Sequence, residues 1–260
     1  MDPRTTFGIL FATLVLAACD GTPPQQSRQQ HTTQSQNVSE PDTAVSDSAE
    51  ASGKKWPGIG KQPMVFVENE FTKNFLFIFD DSGSMVNAKC SGSLSKMEVA
   101  KEAVATFVAK VVPADANVGL YALNAGPLVP LGTGNRERFV GAVRDLRADN
   151  GTPLKSAMWD GFQELTAQGQ RQRGYGEYNL VVVTDGEANI GQDPRQVVEH
   201  IFSRRVPITV YAIGFCIGSE HSLNQPGRTI YKEANNPKEL KEGLEAVLAE
   251  APDFSVTDFN

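Results

Sequence analysis

The sequence predicts an α/β fold: a doubly wound, mostly parallel sheet flanked by helices. Two apolar runs favour it, because Phe75–Phe79 contains no polar residue and the run that starts at Leu180 repeats the same design. Uninterrupted apolar runs of this length are typical of strands buried on both faces, as in parallel sheets. Stretches with helical spacing alternate with these and other short apolar runs, and this alternation predicts strand–helix–strand units.

Each element can be placed in order from residue 74 onward. The run 75–79 is the first strand, and apolar positions at helical spacing then predict a helix over 96–112. A second strand over 117–123 bends at Ala125-Gly126-Pro127 into a partner at 128–131. Pro153 suits the first turn of a helix. The remaining predicted elements are helices over 136–146, 153–168, 194–204 and 237–249, strands near 180–184, 208–213 and 229–231, and a possible edge strand at Met64–Val67.

Polar residues follow the first strand at alternate positions. Asp80, Ser82 and Ser84 surround Gly83 immediately after Phe79. A turn at the end of a strand can aim three side-chain oxygens at one point, and oxygen ligands suit Mg²⁺ or Ca²⁺ rather than zinc or copper. The alternative is that these are ordinary turn residues, since Asp and Ser are common in turns.

Two later stretches favour the metal site over ordinary turn residues. Thr152 lies in a tight turn ahead of a predicted helix, and Asp185 ends a second apolar strand before a glycine. With these residues the chain resembles the von Willebrand factor A domain. That family carries an Asp-x-Ser-x-Ser motif, a later Thr and a later Asp, together called the metal-ion-dependent adhesion site. The matching residues are Asp80, Ser82, Ser84, Thr152 and Asp185.

The resemblance covers roughly Asn74 to Glu250 and implies a Rossmann-like fold with a six-stranded sheet, five strands parallel and one short edge strand antiparallel. It also implies that Ser82 and Ser84 bind a cation directly, Thr152 directly or through water, and the two aspartates largely through water. The implied cation is Mg²⁺, with Ca²⁺ or Mn²⁺ as alternatives. An acidic residue of a protein partner would complete the metal shell. Asp81, at the variable position, is expected to face solvent.

The resemblance thus implies an adhesion-type module that binds a protein ligand through the cation, and two other functions remain open. In the first, the domain is an envelope scaffold or assembly factor whose metal is structural. In the second, it is a metal-dependent hydrolase, since two carboxylates near a metal can activate water. The histidines are His31, His200 and His221, and none is expected to act as a positioned base. We therefore predict no catalytic residue, and neither Glu187 nor Met85 is expected to bind the metal.

The N-terminus resembles a bacterial lipoprotein signal over residues 1–18. Its apolar core ends in Leu16-Ala17-Ala18-Cys19, where Cys19 would be lipidated. The alternative is an ordinary cleaved signal with an incidental cysteine. Asp20 resembles the enterobacterial signal for retention in the inner membrane, so we expect a lipid anchor on that membrane, with the protein facing the periplasm.

The sequence between the signal and the sheet divides into two parts. Residues 19–55 are rich in Gln, Ser and Thr and predict a disordered tether, with an average span of roughly 30–35 Å. Residues 56–73 are transitional. The domain itself then occupies 74–250, and 251–260 form a C-terminal tail.

The charge of the chain argues against nucleic acid as a partner. The formal net charge of the 260 residues is −7, whereas binding to phosphates requires a concentrated basic face.

The two cysteines other than Cys19 predict a disulfide bond. Cys90 follows the first strand and Cys216 follows the strand at 208–213, so both belong to the same end of the sheet. An exported chain enters an oxidising compartment, where such a pair can form a bond. The alternative is two free thiols in loops too far apart to bond.

Overall fold

A six-stranded sheet forms the centre of the part of the chain that the computed structural model describes, residues 56–58 and 65–249. The order across the sheet is β3-β2-β1-β4-β5-β6. All neighbouring strands are parallel except the edge strand β3, which is antiparallel to β2. The predicted fold class is therefore confirmed. The strands are β1 (Lys73–Phe79), β2 (Asn117–Ala122), β3 (Gly126–Gly132), β4 (Glu177–Thr184), β5 (Ile208–Phe215) and β6 (Ile230–Ala234).

Five helices cover the two faces of the sheet. They are α1 (Lys96–Lys110), α2 (Arg136–Asp145), α3 (Leu154–Arg171), α4 (Arg195–Ser203) and α5 (Pro237–Ala249). Buried residues of α1, α2 and α5 belong to the core on one face, and those of α3 and α4 to the core on the other. Within the described residues, no helix combines the length and the apolar character needed to cross a bilayer.

The alternation of side chains along β1 explains its unbroken apolar sequence. Phe75 and Phe77 contribute to the core beneath α1, α2 and α5, whereas Leu76 and Ile78 contribute to the core beneath α3 and α4. A strand in the middle of a two-faced sheet has no polar side to present. On α3, a Cβ at Gly161 would lie 2.9 Å from the side chain of Leu180, so the absence of a side chain lets the helix approach the sheet closely.

The strand order of the sheet has a topological switch point between β1 and β4. From β1 the chain continues to β2 and β3 on one side, and after α3 it returns to β4 on the other side of β1. In open α/β sheets, ligands bind outside the carboxyl ends of the strands at such a switch point. Those ends are Phe79 in β1 and Thr184 in β4.

The possible edge strand at Met64–Val67 is wrong for its described part, residues 65–67. These residues are outside the sheet, and the backbone N–H of Val67 donates to the carbonyl of Arg171 at the end of α3 (3.3 Å). The physical reason is that this segment leads directly into β1, a central strand. Both edges of β1 are already paired, with β2 and with β4, so β1 has no free edge for the segment to join. The predicted signal, Cys19, the tether at 19–55 and the tail at 251–260 lie outside the described residues.

The short segment at 56–58 packs on the end of the sheet where β4 begins. The indole Nε1 of Trp56 donates to the hydroxyl of Thr166 in α3 (3.2 Å). Its ring stands edge-on to Tyr178, with the centroids 4.8 Å apart. This contact attaches the transitional segment to the core on the α3 face.

A buried amide network crosses three strands at that same end. The Nδ2 of Asn74 donates to Gln172 Oε1 (2.8 Å) and to the carbonyl of Glu177 (2.8 Å). The Nδ2 of Asn117 donates to Asn74 Oδ1 (2.8 Å), and the Nδ2 of Asn179 donates to the carbonyl of Asn74 (3.2 Å). The network therefore satisfies polar groups where the strands enter the core.

Candidate metal centre

Three loops meet at the carboxyl ends of β1 and β4. The backbone N–H of Gly83, in the loop after β1, donates to the carbonyl of Asn150, two residues before Thr152 (3.0 Å). The N–H of Asn189, in the loop after β4, donates to the carbonyl of Thr152 (3.0 Å). These bonds bring together the three stretches that carry the predicted metal ligands.

Asp80 is fully buried and organises the first loop. Its Oδ1 accepts a hydrogen bond from the backbone N–H of Ser82 (2.8 Å), and its Oδ2 accepts one from the hydroxyl of Thr184 (2.5 Å). Burial raises the pKa of Asp80, while these hydrogen bonds act in the opposite direction. Asp80 thus connects the end of β1 to the end of β4.

Two serine hydroxyls and a carboxylate form a contiguous set of oxygens. The Oγ atoms of Ser82 and Ser84 are 3.1 Å apart, and Ser84 Oγ donates to Asp185 Oδ1 (2.6 Å). A 3₁₀ turn over Gly83–Val86 carries Ser84, and the fully buried side chain of Met85 anchors that turn in the core. Met85 is therefore a packing residue, as expected.

Thr152 occupies the turn that precedes α3. It is 7% exposed, and its hydroxyl makes no hydrogen bond within the described residues. A Cβ at the preceding Gly151 would collide with the side chain of Asn189, so the loop after β4 packs tightly on this turn. A hydroxyl without a protein partner remains able to offer its oxygen to a cation, which fits the predicted role of Thr152.

A buried lysine, absent from the predicted site, also enters this cluster. The Nζ of Lys96 donates to Asp185 Oδ2 (2.6 Å), and the side chains are 7% and 0% exposed. Lys96 is the first residue of α1, which begins there because Ser95 and Glu98 form a capping box. A cation is electrostatically disfavoured at a helix N-terminus. This local conflict makes Lys96 unusual for its position, but it does not indicate that the side chain reaches Asp185, 89 residues away.

Asp81 corrects one expectation, since it faces the protein rather than solvent. It is 3% exposed, and its Oδ1 accepts hydrogen bonds from the backbone N–H (2.8 Å) and Nδ2 (3.2 Å) of Asn124. Its Oδ2 accepts one from the backbone N–H of Ala125 (3.1 Å). The N–H groups of the turn between β2 and β3 need acceptors, and Asp81, at the adjacent strand end, supplies them.

His221 supports the turn after β4. Its Nδ1 accepts a hydrogen bond from the backbone N–H of Leu223 (3.1 Å), and its Nε2 lies 3.0 Å from the carbonyl of Gly186. Nε2 therefore carries the proton that binds this carbonyl, next to Asp185. Glu187 is exposed, with 59% of its side chain accessible.

The disulfide between Cys90 and Cys216 is confirmed. The two Cα atoms are 6.0 Å apart across a sequence separation of 126. The bond joins the loop that leads from Ser84 to α1 with the segment that follows β5.

The donors fit a hard divalent cation. In the described part of the chain, no three His, Cys, Asp or Glu residues cluster as a metal site. The candidate centre depends instead on two carboxylates and three hydroxyls, from Asp80, Ser82, Ser84, Thr152 and Asp185. Such oxygen donors suit Mg²⁺ and related hard cations.

Comparison with known proteins places this fold and site in a wider context. A sequence model described as the von Willebrand factor type A domain matches residues 74–260. The uncharacterized protein YwmD of Bacillus subtilis is 27% identical over an alignment of 169 residues, and the match covers 59% of this chain and 72% of that protein.

Two solved structures share the fold. An aerotolerance-related membrane protein from Bacteroides fragilis, solved with multiple mutations to serines, superposes with a TM-score of 0.53 at 18% identity, covering 68% of this chain and 97% of that one. Proximal thread matrix protein 1 of the mussel byssus, whose adhesion motif is occupied by zinc, gives a TM-score of 0.53 at 20% identity. The match covers 70% of this chain and about half (48%) of the mussel protein.

Proposed function

Because the chain belongs to the von Willebrand factor type A domain family, we propose that it binds a protein ligand through a divalent cation, with Mg²⁺ as the expected ion. The observation that carries this proposal is the hydrogen-bonded contact of Ser82, Ser84 and Asp185 at the switch point of the sheet. The residues that would hold the cation are Asp80, Ser82, Ser84, Thr152 and Asp185.

The protein groups around the site prepare it for a cation. Asp80 fixes the backbone of Ser82 and thereby sets the start of the loop that carries both serines. The hydroxyl of Thr152 has no competing partner within the described residues. The disulfide at Cys90 restrains the same loop farther along the chain. These restraints reduce the conformational entropy that the loop would lose when the cation binds.

The chemistry of the donors defines the partner. A bound divalent cation would supply positive charge and an open coordination position. The hydroxyl oxygens expected to bind it directly are neutral, and the two aspartates are expected to act largely through water. Positive charge therefore remains, and an aspartate or glutamate of a protein partner is the ligand expected there. The mussel protein with its zinc-occupied motif supports metal binding at such a motif, and the cation of this chain is part of the proposal.

We propose a binding role rather than a catalytic one. The ring nitrogens of His221 contact the backbone of Gly186 and Leu223. His200 packs edge-on against Trp159, with centroids 4.9 Å apart, where α3 and α4 meet. Neither imidazole is therefore held as a base beside the serines.

We propose that Cys19 carries a lipid that anchors the protein to the bacterial inner membrane, facing the periplasm. The support is the lipobox-like sequence Leu16-Ala17-Ala18-Cys19 followed by Asp20. Metabolic labelling with a radioactive fatty acid tests this, with Cys19→Ala as the comparison. Label in the wild type alone supports the anchor, and an unlabelled wild type in the soluble fraction contradicts it.

The proposed function is tested by affinity capture from envelope extract with the detergent-solubilised full chain. The capture is run in Mg²⁺, in EDTA, and in Mg²⁺ with Thr152→Ala. Ser156→Ala is the matched control, because its exposed hydroxyl contacts Gln192 outside the site (2.9 Å). We expect a partner retained by the wild type and by Ser156→Ala in Mg²⁺ alone.

The same partners in every lane would contradict metal-dependent recognition and favour the scaffold function. The response of the wild-type Tm to EDTA separates the two functions further. In a scaffold with a structural metal, EDTA lowers the Tm and releases the partners in parallel, whereas in a receptor it releases the ligand while the domain stays folded at the capture temperature.

A further inference from the structure

Lys96 places a buried positive charge inside the candidate metal centre. Its Nζ donates to Asp185 Oδ2 at 2.6 Å, and both side chains are almost completely inaccessible to solvent. A buried carboxylate without a compensating charge is strongly disfavoured, and the ammonium group of Lys96 supplies that compensating charge to Asp185.

Both carboxylate oxygens of Asp185 are engaged by the protein. Oδ1 accepts the hydroxyl of Ser84 (2.6 Å) and Oδ2 accepts the ammonium group of Lys96. Direct ligation of a cation through Oδ2 would therefore require the loss of a buried ion pair. The ammonium group also repels any cation held by the neighbouring serines.

The position of Lys96 is fixed by its helix. The capping box of Ser95 and Glu98 starts α1 at this residue, and the backbone N–H of Lys96 donates to the carbonyl of Asn87 in the loop after β1 (2.8 Å). That loop also carries Ser84. The backbone of Lys96 is therefore bound to the loop of the candidate metal centre, and its side chain reaches Asp185 in the same centre.

We propose that Lys96 is a positioning residue that neutralises Asp185, keeps it from ligating the cation directly, and so weakens cation binding. The inference rests on the proposed metal site and assigns a regulator to it. In consequence Asp185 does not neutralise a bound cation, and the remaining positive charge attracts an acidic residue of the protein partner.

The test is Mn²⁺ binding to the purified full chain, measured by the loss of the free Mn²⁺ EPR signal and by calorimetry. Lys96→Gln removes the charge and keeps an amide donor, and Lys96→Arg keeps the charge. Lys101→Gln is the matched control, because Lys101 lies on the same helix and donates to the carbonyl of Leu146 (2.7 Å).

We expect Lys96→Gln to bind Mn²⁺ at least about tenfold more tightly than the wild type, because one repelling charge is gone. The Tm of this variant without metal is expected to fall by roughly 5 °C or more, because Asp185 loses its compensating charge. Lys96→Arg and Lys101→Gln should stay within about threefold of the wild-type affinity. A purely structural lysine would lower Tm without tightening Mn²⁺ binding.

An unchanged or weaker Mn²⁺ affinity in Lys96→Gln overturns the inference. If that variant does not fold, a tenfold change in affinity in Lys96→Arg overturns it instead. Binding by Lys96→Gln with none by the wild type supports the inference and contradicts the proposed function. No binding by either overturns both. Tighter Mn²⁺ binding without a captured protein partner contradicts only the proposed function.

Discussion

Ser84 and Asp185 lie 101 positions apart in the sequence, and the hydroxyl of Ser84 donates a 2.6 Å hydrogen bond to the carboxylate of Asp185. The two residues follow β1 and β4, which are neighbours in the sheet. The carboxyl ends of neighbouring parallel strands lie at the same edge of the sheet. The loop after β1 and the loop after β4 therefore meet although they are far apart in the sequence.

Replacing Ser84 by Ala is expected to weaken Mg²⁺ binding at least tenfold, because one hydroxyl donor is removed. The variant also loses the hydrogen bond to Asp185, which lowers the free energy of unfolding by about 1.5–3 kcal/mol. Calorimetric titration with Mg²⁺ and urea unfolding measure the two effects. Ser156→Ala should change neither, and wild-type Mg²⁺ affinity in Ser84→Ala would contradict the assignment of this ligand.

Replacing Asp81 by Ala is expected to lower the free energy of unfolding by about 2–4 kcal/mol while leaving Mg²⁺ affinity within about threefold. The turn at Asn124 and Ala125 would lose its hydrogen-bond acceptor, and unsatisfied buried donors cost about 1–3 kcal/mol each. Urea unfolding and calorimetric titration check both parts. The neighbouring Asp80→Ala serves as the contrast, since it should abolish Mg²⁺ binding. Loss of Mg²⁺ binding in Asp81→Ala would instead make Asp81 part of the metal site.

The sequence predicted most of the fold because its strands are buried on two faces. Uninterrupted apolar residues at Phe75–Phe79 identify a central strand directly, and the sheet has β1 in that position. The edge strand proposed at Met64–Val67 failed because an apolar run does not reveal whether a free strand edge exists beside it. The sequence locates the ends of strands less accurately than their centres: β5 continues to Phe215, two residues beyond the predicted end at Ile213.

The candidate ligands were predictable because each belongs to a local pattern: four of them follow the ends of β1 and β4, and Thr152 lies in the turn before α3. Lys96 and the role of Asp81 were not, since both depend on partners distant in sequence. Lys96 lies 89 residues from Asp185, and Asp81 lies 43 residues from Asn124. Spacing along the chain does not indicate which buried carboxylate a lysine will reach.

Reducing the bond between Cys90 and Cys216 is expected to lower the free energy of unfolding by roughly 2–5 kcal/mol, because it closes a long loop in the unfolded chain. Urea unfolding with and without dithiothreitol measures the difference. The double variant Cys90→Ser/Cys216→Ser should show the lower stability in both conditions and no response to reductant. Equal thiol counts before and after reduction of the wild type would show that the bond does not form in solution.

Replacing Asn74 by Ala is expected to lower the free energy of unfolding by about 2–4 kcal/mol. The fully buried side chain of Asn74 joins Asn117 and Gln172, and its loss leaves buried polar groups without partners. Asn235→Ala is the matched control, because its amide contacts Glu233 at an exposed position (2.9 Å) and should change stability by less than about 0.5 kcal/mol. Chemical unfolding measures both variants. Asn74 lies near the start of β1, at the end opposite Asp80, so Mg²⁺ affinity should remain unchanged in the folded variant. A loss of Mg²⁺ binding would contradict the separation of the amide network from the metal centre.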